Sequence, residues 1–236
     1  MNNLTYKSTT PWLIALCISL SGCSGEPPSP KKMLNPDHQF TFNGCDIRYN
    51  DEPLILGKSV DEWVEVLGPY DRMSPTASDV YVYDDMGIVL YAGHNTKVIK
   101  SLTLLFNEEK EIMQEIRNSL KGKKKQREQG DLDPNSIYFK GLDLSIEFDE
   151  NVLSSKPKQT FKQGFAIDDV IFDEHINRYK LNTERLKRHP NAPRFAERYL
   201  PNLYDYSLDC DNSARLFTLR MLSTDLTKLH SFSVVF

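Results

Sequence analysis

None of the short motifs that mark the commoner catalytic sites occurs in this sequence. There is no G-x-S-x-G nucleophile elbow, no H-E-x-x-H zinc helix, no P-loop and no C-x-x-C pair. Gly57-Lys58-Ser59 matches only the tail of a P-loop, lacks the upstream glycine, and reads as the start of a helix. The five histidines, His38, His94, His175, His189 and His230, stand in no ligand-like spacing with one another. No metal or cofactor is expected. No apolar run reaches the ~20 residues that a membrane-spanning helix needs. The series of alternating strands of ~10 residues that builds a membrane barrel is missing too, so the terminal Phe236 reads as the end of a core strand. Positive charge is not in excess. With 29 Lys and Arg against 33 Asp and Glu, the chain lacks the basic footprint of a nucleic-acid binder. Cysteine is sparse, at four residues.

What is present begins at the amino terminus. Lys7 precedes the short apolar run Trp12-Leu13-Ile14-Ala15-Leu16-Cys17-Ile18-Ser19-Leu20, and small residues follow it. This order of cation, short apolar run and small residues is that of a secretory signal peptide. Leu20-Ser21-Gly22-Cys23 resembles the lipobox of bacterial lipoproteins. The resemblance implies that residues 1–22 are removed as a signal peptide and that the Cys23 thiol carries diacylglycerol. It also implies acylation of the new amino group; one acyl chain anchors marginally, whereas two or three anchor stably. Ser24 rather than Asp follows the cysteine, which by enterobacteria-like sorting implies the outer membrane with the folded part facing the periplasm. The stretch to Asp37 is rich in Pro, Ser and Lys and nearly free of apolar residues, so 23–37 reads as a lipid-anchored flexible tether.

Removal of 22 residues leaves 214, enough for one large domain or two small ones. The mature count is 28 cations against 33 anions, a formal charge of −5. Cys17 leaves with the signal and Cys23 carries lipid, so Cys45 and Cys210 remain in an oxidising compartment. They are either a disulfide, closing a loop worth ~4–5 kcal/mol in the chain-entropy account, or two separate buried thiols.

Along the folded part, Gln39 to Phe42 and Cys45 to Tyr49 flank Asn43-Gly44, the pair that supplies the positive φ angles of a type I′ hairpin turn. Ser59-Val60-Asp61-Glu62 is a capping box, and the helix it opens sets Val60, Trp63, Val64 and Leu67 on one face before Gly68-Pro69 stops it. Trp63 is therefore a core anchor. Val80 to Tyr83, Ile88 to Ala92 and Ser101 to Phe106 read as three strands in meander order. Glu108 to Leu120 has Ile112, Met113, Ile116 and Leu120 at helical spacing, and a solvated basic run from Lys121 to Arg127 follows.

At Pro134 the pattern restarts. Phe139-Lys140-Gly141-Leu142-Asp143-Leu144 echoes Phe42-Asn43-Gly44-Cys45-Asp46-Ile47, which is consistent with two related halves. The second half then reads as strand from Leu144 to Phe148 and near Phe165 to Phe172. Thr183 to Tyr199 is helical with breaks at Pro190 and Pro193, and three closing strands run over Tyr204–Asp209, Leu216–Leu222 and Ser231–Phe236. The expected class is α+β, mainly antiparallel sheet with helices packed on it. The expected division is an N-terminal half over 38–121, a basic linker over 122–134 and a C-terminal half over 135–236.

The run from Leu56 to Trp63, the stop at Leu67-Gly68-Pro69 and the tyrosine-rich strands together resemble a small helix-plus-meander module. It is similar to units in envelope-assembly lipoproteins, in beta-lactamase-inhibitor proteins and in an uncharacterised bacterial domain family. The resemblance covers about Phe40 to Phe106, and its proline falls one place away from the commoner L-G-x-P. It implies a protein-binding fold without an active site. Two segments carry weaker chemical signals. Asp168, Asp169, Asp173, Glu174 and His175 form the densest titratable cluster and would be the place for acid–base work, but they read as a solvated acidic loop. Asp209-Cys210-Asp211-Asn212-Ser213 begins like a calcium loop, yet Ala214 and Arg220 stand where Gly and Glu are required. The expected function is a non-enzymatic, lipid-anchored binding protein with a protein partner, of the toxin-neutralising immunity type. An envelope-assembly accessory role and an envelope hydrolase are the alternatives.

Overall fold

The computed structural model describes residues 39–74, 79–129, 136–172, 178–197, 200–210 and 213–235. The segments expected to be signal peptide and tether, Cys23 among them, and His38 and Phe236 lie outside the described residues. The architecture is α+β, with two mainly antiparallel sheets and four helices among the described residues.

The first hairpin forms where Asn43-Gly44 predicts one, but slipped by one residue. β1 (Gln39–Asn43) pairs with β2 (Asp46–Tyr49) so that Asn43 faces Asp46, leaving Gly44 and Cys45 as the loop. Positive φ is needed only at Gly44 (+58°), the pattern of a II′ turn in place of I′. The two-residue β3 (Glu52–Pro53) extends this hairpin, and β8 (Gly164–Ile167) joins the far side of β1 in parallel, carrying β9 (Val170–Phe172) with it. The small sheet therefore runs β3-β2-β1-β8-β9.

Helix α1 (Val60–Leu67) opens on the predicted capping box: Ser59 Oγ accepts from the Glu62 backbone N–H at 3.3 Å, and Glu62 Oε2 accepts from the Ser59 N–H at 2.9 Å. Trp63 is 1% exposed, and its indole N–H donates to the Ile55 carbonyl at 3.0 Å. β5 (Val80–Tyr83), β6 (Ile88–Ala92) and β7 (Ile99–Leu105) form the predicted three-strand meander, and β4 (Arg72–Met73), which the sequence pattern did not show, pairs on the outer side of β5. β10 (Ala196–Glu197), β11 (Leu203–Cys210), β12 (Ser213–Met221) and β13 (Leu229–Val235) complete the large sheet, because β13 pairs antiparallel with β7. Its order is β10-β11-β12-β13-β7-β6-β5-β4.

The two sheets meet through aromatic rings. Phe42 and Phe232 lie 4.7 Å apart edge to face, Phe165 and Phe232 lie 5.5 Å apart, and Phe106 contacts both Phe161 and Phe165. All five rings are essentially inaccessible, and each contributes about 1.5–3 kcal/mol of burial. This shared core corrects the expectation of two halves with a linker between them. Strands from both expected halves lie side by side in each sheet, so neither half can bury its own core alone.

The segment between them is also different. Helix α2 (Lys110–Gln129) continues through the whole basic run, and helix α3 (Ile137–Ser154) occupies the region expected to be strand. The F-x-G-x-D echo thus lies once in a hairpin and once in a helix, and is no repeat of structure. The basic run stays helical because α3 offers it acids: Lys123 pairs with Asp149 at 2.7 Å, Lys124 with Glu150 at 2.5 Å and Arg127 with Asp143 at 2.9 Å. Ser136 caps α3 by accepting from the Phe139 N–H at 3.1 Å. Helix α4 (Arg178–Arg188) ends before Pro190 and does not extend to Tyr199.

Candidate functional site

The outer face of the large sheet, turned away from the aromatic core, changes character from strand to strand. Cross-strand register places Arg220 beside Ser231 and Ser231 beside Leu105, then Ser233 beside Thr103, Thr103 beside Val89 and Val89 beside Val82. Tyr91 and Val80 form the next row. Across β12, β13, β7, β6 and β5 this face therefore runs from polar to apolar. The base of the α2–α3 hairpin sits over it, and between them lies a cleft of about 570 Å³. Val80, Val89, Tyr91, Leu105, Met113, Phe148 and Val152 give it apolar walls, and Glu109, Lys156, Arg220, His230 and Ser231 form its polar part.

The polar groups are held by specific contacts. Glu109, just before α2, is 4% exposed at its side chain; its Oε1 accepts from the Ser223 N–H at 3.0 Å and its Oε2 from Arg220 Nη2 at 3.2 Å. Burial works to raise the Glu109 carboxyl, but the Ser223 N–H, His230 and Arg220 outweigh it and hold the group below its usual range. His230 Nδ1 lies 2.7 Å from the Asn107 carbonyl. A carbonyl only accepts, so Nδ1 carries the proton and Nε2 presents a lone pair. Burial pushes His230 below its ordinary value against the pull of Glu109, which keeps the ring uncharged at neutral pH. Lys156 pairs with Glu108, whose carboxyl its ammonium lowers. Sequence reasoning missed this group. Its members are spread from Glu108 to His230, and no local spacing announces them.

The residues singled out from sequence fall elsewhere. Cys45 and Cys210 are bonded, with Cα atoms 5.7 Å apart, and tie the β1–β2 loop to the end of β11. Asp168 and Asp169 form the two-residue β8–β9 turn, both at positive φ (49° and 61°), as a I′ turn requires. Asp168 Oδ2 accepts from Arg185 Nε at 2.8 Å and Nη2 at 2.5 Å. The Arg185 guanidinium is 1% exposed and lies over the Phe195 and Tyr206 rings, 5.1 and 4.9 Å from their centres. Asp169 accepts from Asn43 Nδ2 at 3.0 Å and lies 3.3 Å from His189 Nε2. Both carboxylates thus bind this corner of the fold together. Asp173, Glu174 and His175 lie outside the described residues, as do Asp211 and Asn212. Among the described residues, no group of three His, Cys, Asp or Glu side chains is placed to hold a metal ion. No helix among them is long and apolar enough to cross a membrane.

A second surface feature is helix α3 itself. Leu142, Ile146 and Asp149 are buried, and Asp149 pairs with Lys123, so this face is the one turned to α2. On another face Ile137 is 91% exposed, Leu144 67% and Phe148 66%, with Tyr138 beside them at 56%. Residues 39–182, about three-fifths of the chain, match a family described as a domain of unknown function (DUF7738). The chain belongs to the DUF7738 family. The match runs from β1 through both arms of the hairpin into α4, and so takes in the exposed α3 face and most of the cleft, while Arg220 and His230 of this DUF7738 chain lie beyond it. No curated protein and no solved structure matches the chain.

Proposed function

We propose that this chain is a non-enzymatic binding protein, held at the bacterial outer membrane by lipid on Cys23 and facing the periplasm. Its recognition element is the α2–α3 hairpin, and its partner is a protein. The observation that carries the reading is the uncovered apolar face of α3. A water-soluble helix gains nothing by exposing Ile137, Leu144 and Phe148 at helical spacing, and such a face ordinarily marks a contact surface. A toxin to be neutralised is the partner this favours, since immunity needs one tight one-to-one contact; an envelope-assembly factor is the other candidate. A hydrolase built on Asp168 and its neighbours lacks comparable support, because Asp168 and Asp169 are engaged with Arg185, Asn43 and His189.

Three experiments test this reading. Palmitate labelling and membrane sedimentation should both be lost in Cys23→Ala; if both persist, the anchor and the compartment are wrong. A photocrosslinker at position 144 should give one discrete protein adduct in intact envelopes, absent when the same group is placed at Glu65 on α1. Leu144→Asp should abolish the complex with the captured partner. Unchanged binding in Leu144→Asp would remove α3 as the recognition element.

A further inference from the structure

The cleft beneath the hairpin differs from the α3 face above it, because it is enclosed on two sides and carries fixed charges. Its volume of about 570 Å³ falls within the ~300–1,000 Å³ of small-molecule sites and far exceeds one inserted side chain. The cross-strand register grades its floor from Arg220 and Ser231 to Val89, Tyr91 and Val80, so a ligand lying across the strands must itself change from polar to apolar.

The hydrogen-bonding inventory at the polar part decides the sign of the head group. Both carboxylates there already have partners: Glu109 takes the Ser223 N–H and Arg220 Nη2, and Glu108 takes Lys156. The donors are only partly used. Arg220, half-exposed, directs one nitrogen to Glu109 and has further N–H groups to offer, and the Lys156 ammonium carries three hydrogens. A head group that accepts from two cations meets the donors left over on Arg220 and Lys156. His230 Nε2 adds a lone pair that a hydroxyl on the head group can meet.

We propose that the cleft binds a single-chain amphiphile with an anionic carboxylate or phosphate head, the head against Arg220 and Lys156 and the chain along Val89, Tyr91, Met113 and Val152. The protein-docking reading rests on the outward residues Ile137 and Leu144, and Phe148 borders both that face and the cleft.

The test uses the full chain carrying Cys23→Ala, so that no acyl group of its own competes, with titration calorimetry below the micelle threshold. The probes are laurate, dodecyl phosphate, dodecanol and inorganic phosphate. One-to-one saturable binding of laurate or dodecyl phosphate is expected, at least tenfold tighter than dodecanol, and inorganic phosphate should not displace it. Which of the two binds more tightly separates a fatty-acid source from a phosphate-headed lipid. Arg220→Gln, which retains a donor for Glu109, should weaken the anionic probes tenfold or more and leave dodecanol unchanged. Met113→Trp at a half-buried wall position should block all three chains while circular dichroism stays native. Equal affinity for dodecanol, tight binding of inorganic phosphate alone, or unchanged binding in Met113→Trp would each overturn the proposal.

Discussion

Gly87 is the position where a single methyl group should do most harm. It closes the turn between β5 and β6 at φ +70°, a conformation costing a residue with Cβ about 1–2 kcal/mol. It is also where the chain from Lys156 to Phe161 crosses the turn. Gln159 N–H donates to the Asp84 carbonyl at 2.8 Å, Phe161 N–H to the Leu105 carbonyl at 2.5 Å, and Leu105 N–H to the Gly87 carbonyl at 2.9 Å. A Cβ on residue 87 would stand 2.1 Å from the Phe161 nitrogen and 2.5 Å from the Thr160 carbonyl carbon, both backbone atoms fixed by those bonds. Overpacking of this kind costs a further ~1–3 kcal/mol. Gly44 supplies the control: its φ is +58°, yet a Cβ there meets nothing within 4 Å. Gly44→Ala should therefore lose only about 1–2 kcal/mol and Gly87→Ala about 2–5. At ~2–4 °C per kcal/mol for a domain of this size, Gly87→Ala should melt roughly 10 °C below the wild type. Urea denaturation with linear extrapolation measures both, provided m is unchanged. If Gly87→Ala proves no less stable than Gly44→Ala, the crossing segment does not hold the turn.

Reduction of Cys45–Cys210, or its replacement by two alanines, releases a constraint spanning 165 residues and should cost about 2–5 kcal/mol, read as a fall in the urea midpoint. Asp168→Ala leaves the Arg185 guanidinium buried and unpaired, so it should lose about 3–5 kcal/mol of stability; a folded but merely inactive variant would revive a catalytic role for this carboxylate. Stability should decline on acidification in two steps. His230, held neutral mainly by burial, is protonated more readily when unfolded, so stability falls once pH drops below ~6.5, and His230→Gln should flatten that limb. Burial would raise Asp84, but hydrogen bonds from Arg72 and Lys158 prevail and lower it, so its contribution is complete above pH ~4 and lost as pH falls through the folded value. Ile146→Ala should cost about 2–4 kcal/mol by thermal melting, whereas Leu144→Ala, two residues away, should leave the melting curve within ~0.5 kcal/mol.

Legibility from sequence followed the range of the contacts. The Ser59–Glu62 capping box, the stop at Gly68 and the meander through β7 are decided by neighbours within a few residues, and each is found where the pattern places it. Slippage of the first hairpin by one residue sets Phe42 opposite Ile47 and Phe40 opposite Tyr49, all four of them buried in the shared core. The parallel pairing of β1 with β8, across more than a hundred residues, leaves no local trace at all. Neither does the cleft, whose charged groups come from the start of α2, the segment after α3, and strands β12 and β13. The Asp168 cluster was visible as charge, but its purpose was not. Only the placement of Arg185 between Phe195 and Tyr206 shows why a carboxylate is needed at that turn.

The misreading of α3 has a specific origin that bears on what the helix is for. From Leu142 to Phe148 the residues alternate, apolar at 142, 144, 146 and 148 and polar at 143, 145 and 147, which is the period of a half-buried strand. In a helix, at about 100° per residue, alternate positions lie some 200° apart. The same four apolar residues therefore divide into two i,i+4 pairs on opposite faces. Leu142 and Ile146 take the buried face, and Leu144 and Phe148 stay largely exposed, Phe148 at the edge of the cleft. Folding α2 against α3 needs only the first pair. Ordinary polar residues at 144 and 148 would have given a plain amphipathic helix, more soluble and easier to recognise. A local pattern that disagrees with the fold it adopts, and keeps apolar side chains the fold does not bury, is the observation on which the proposed partner surface rests.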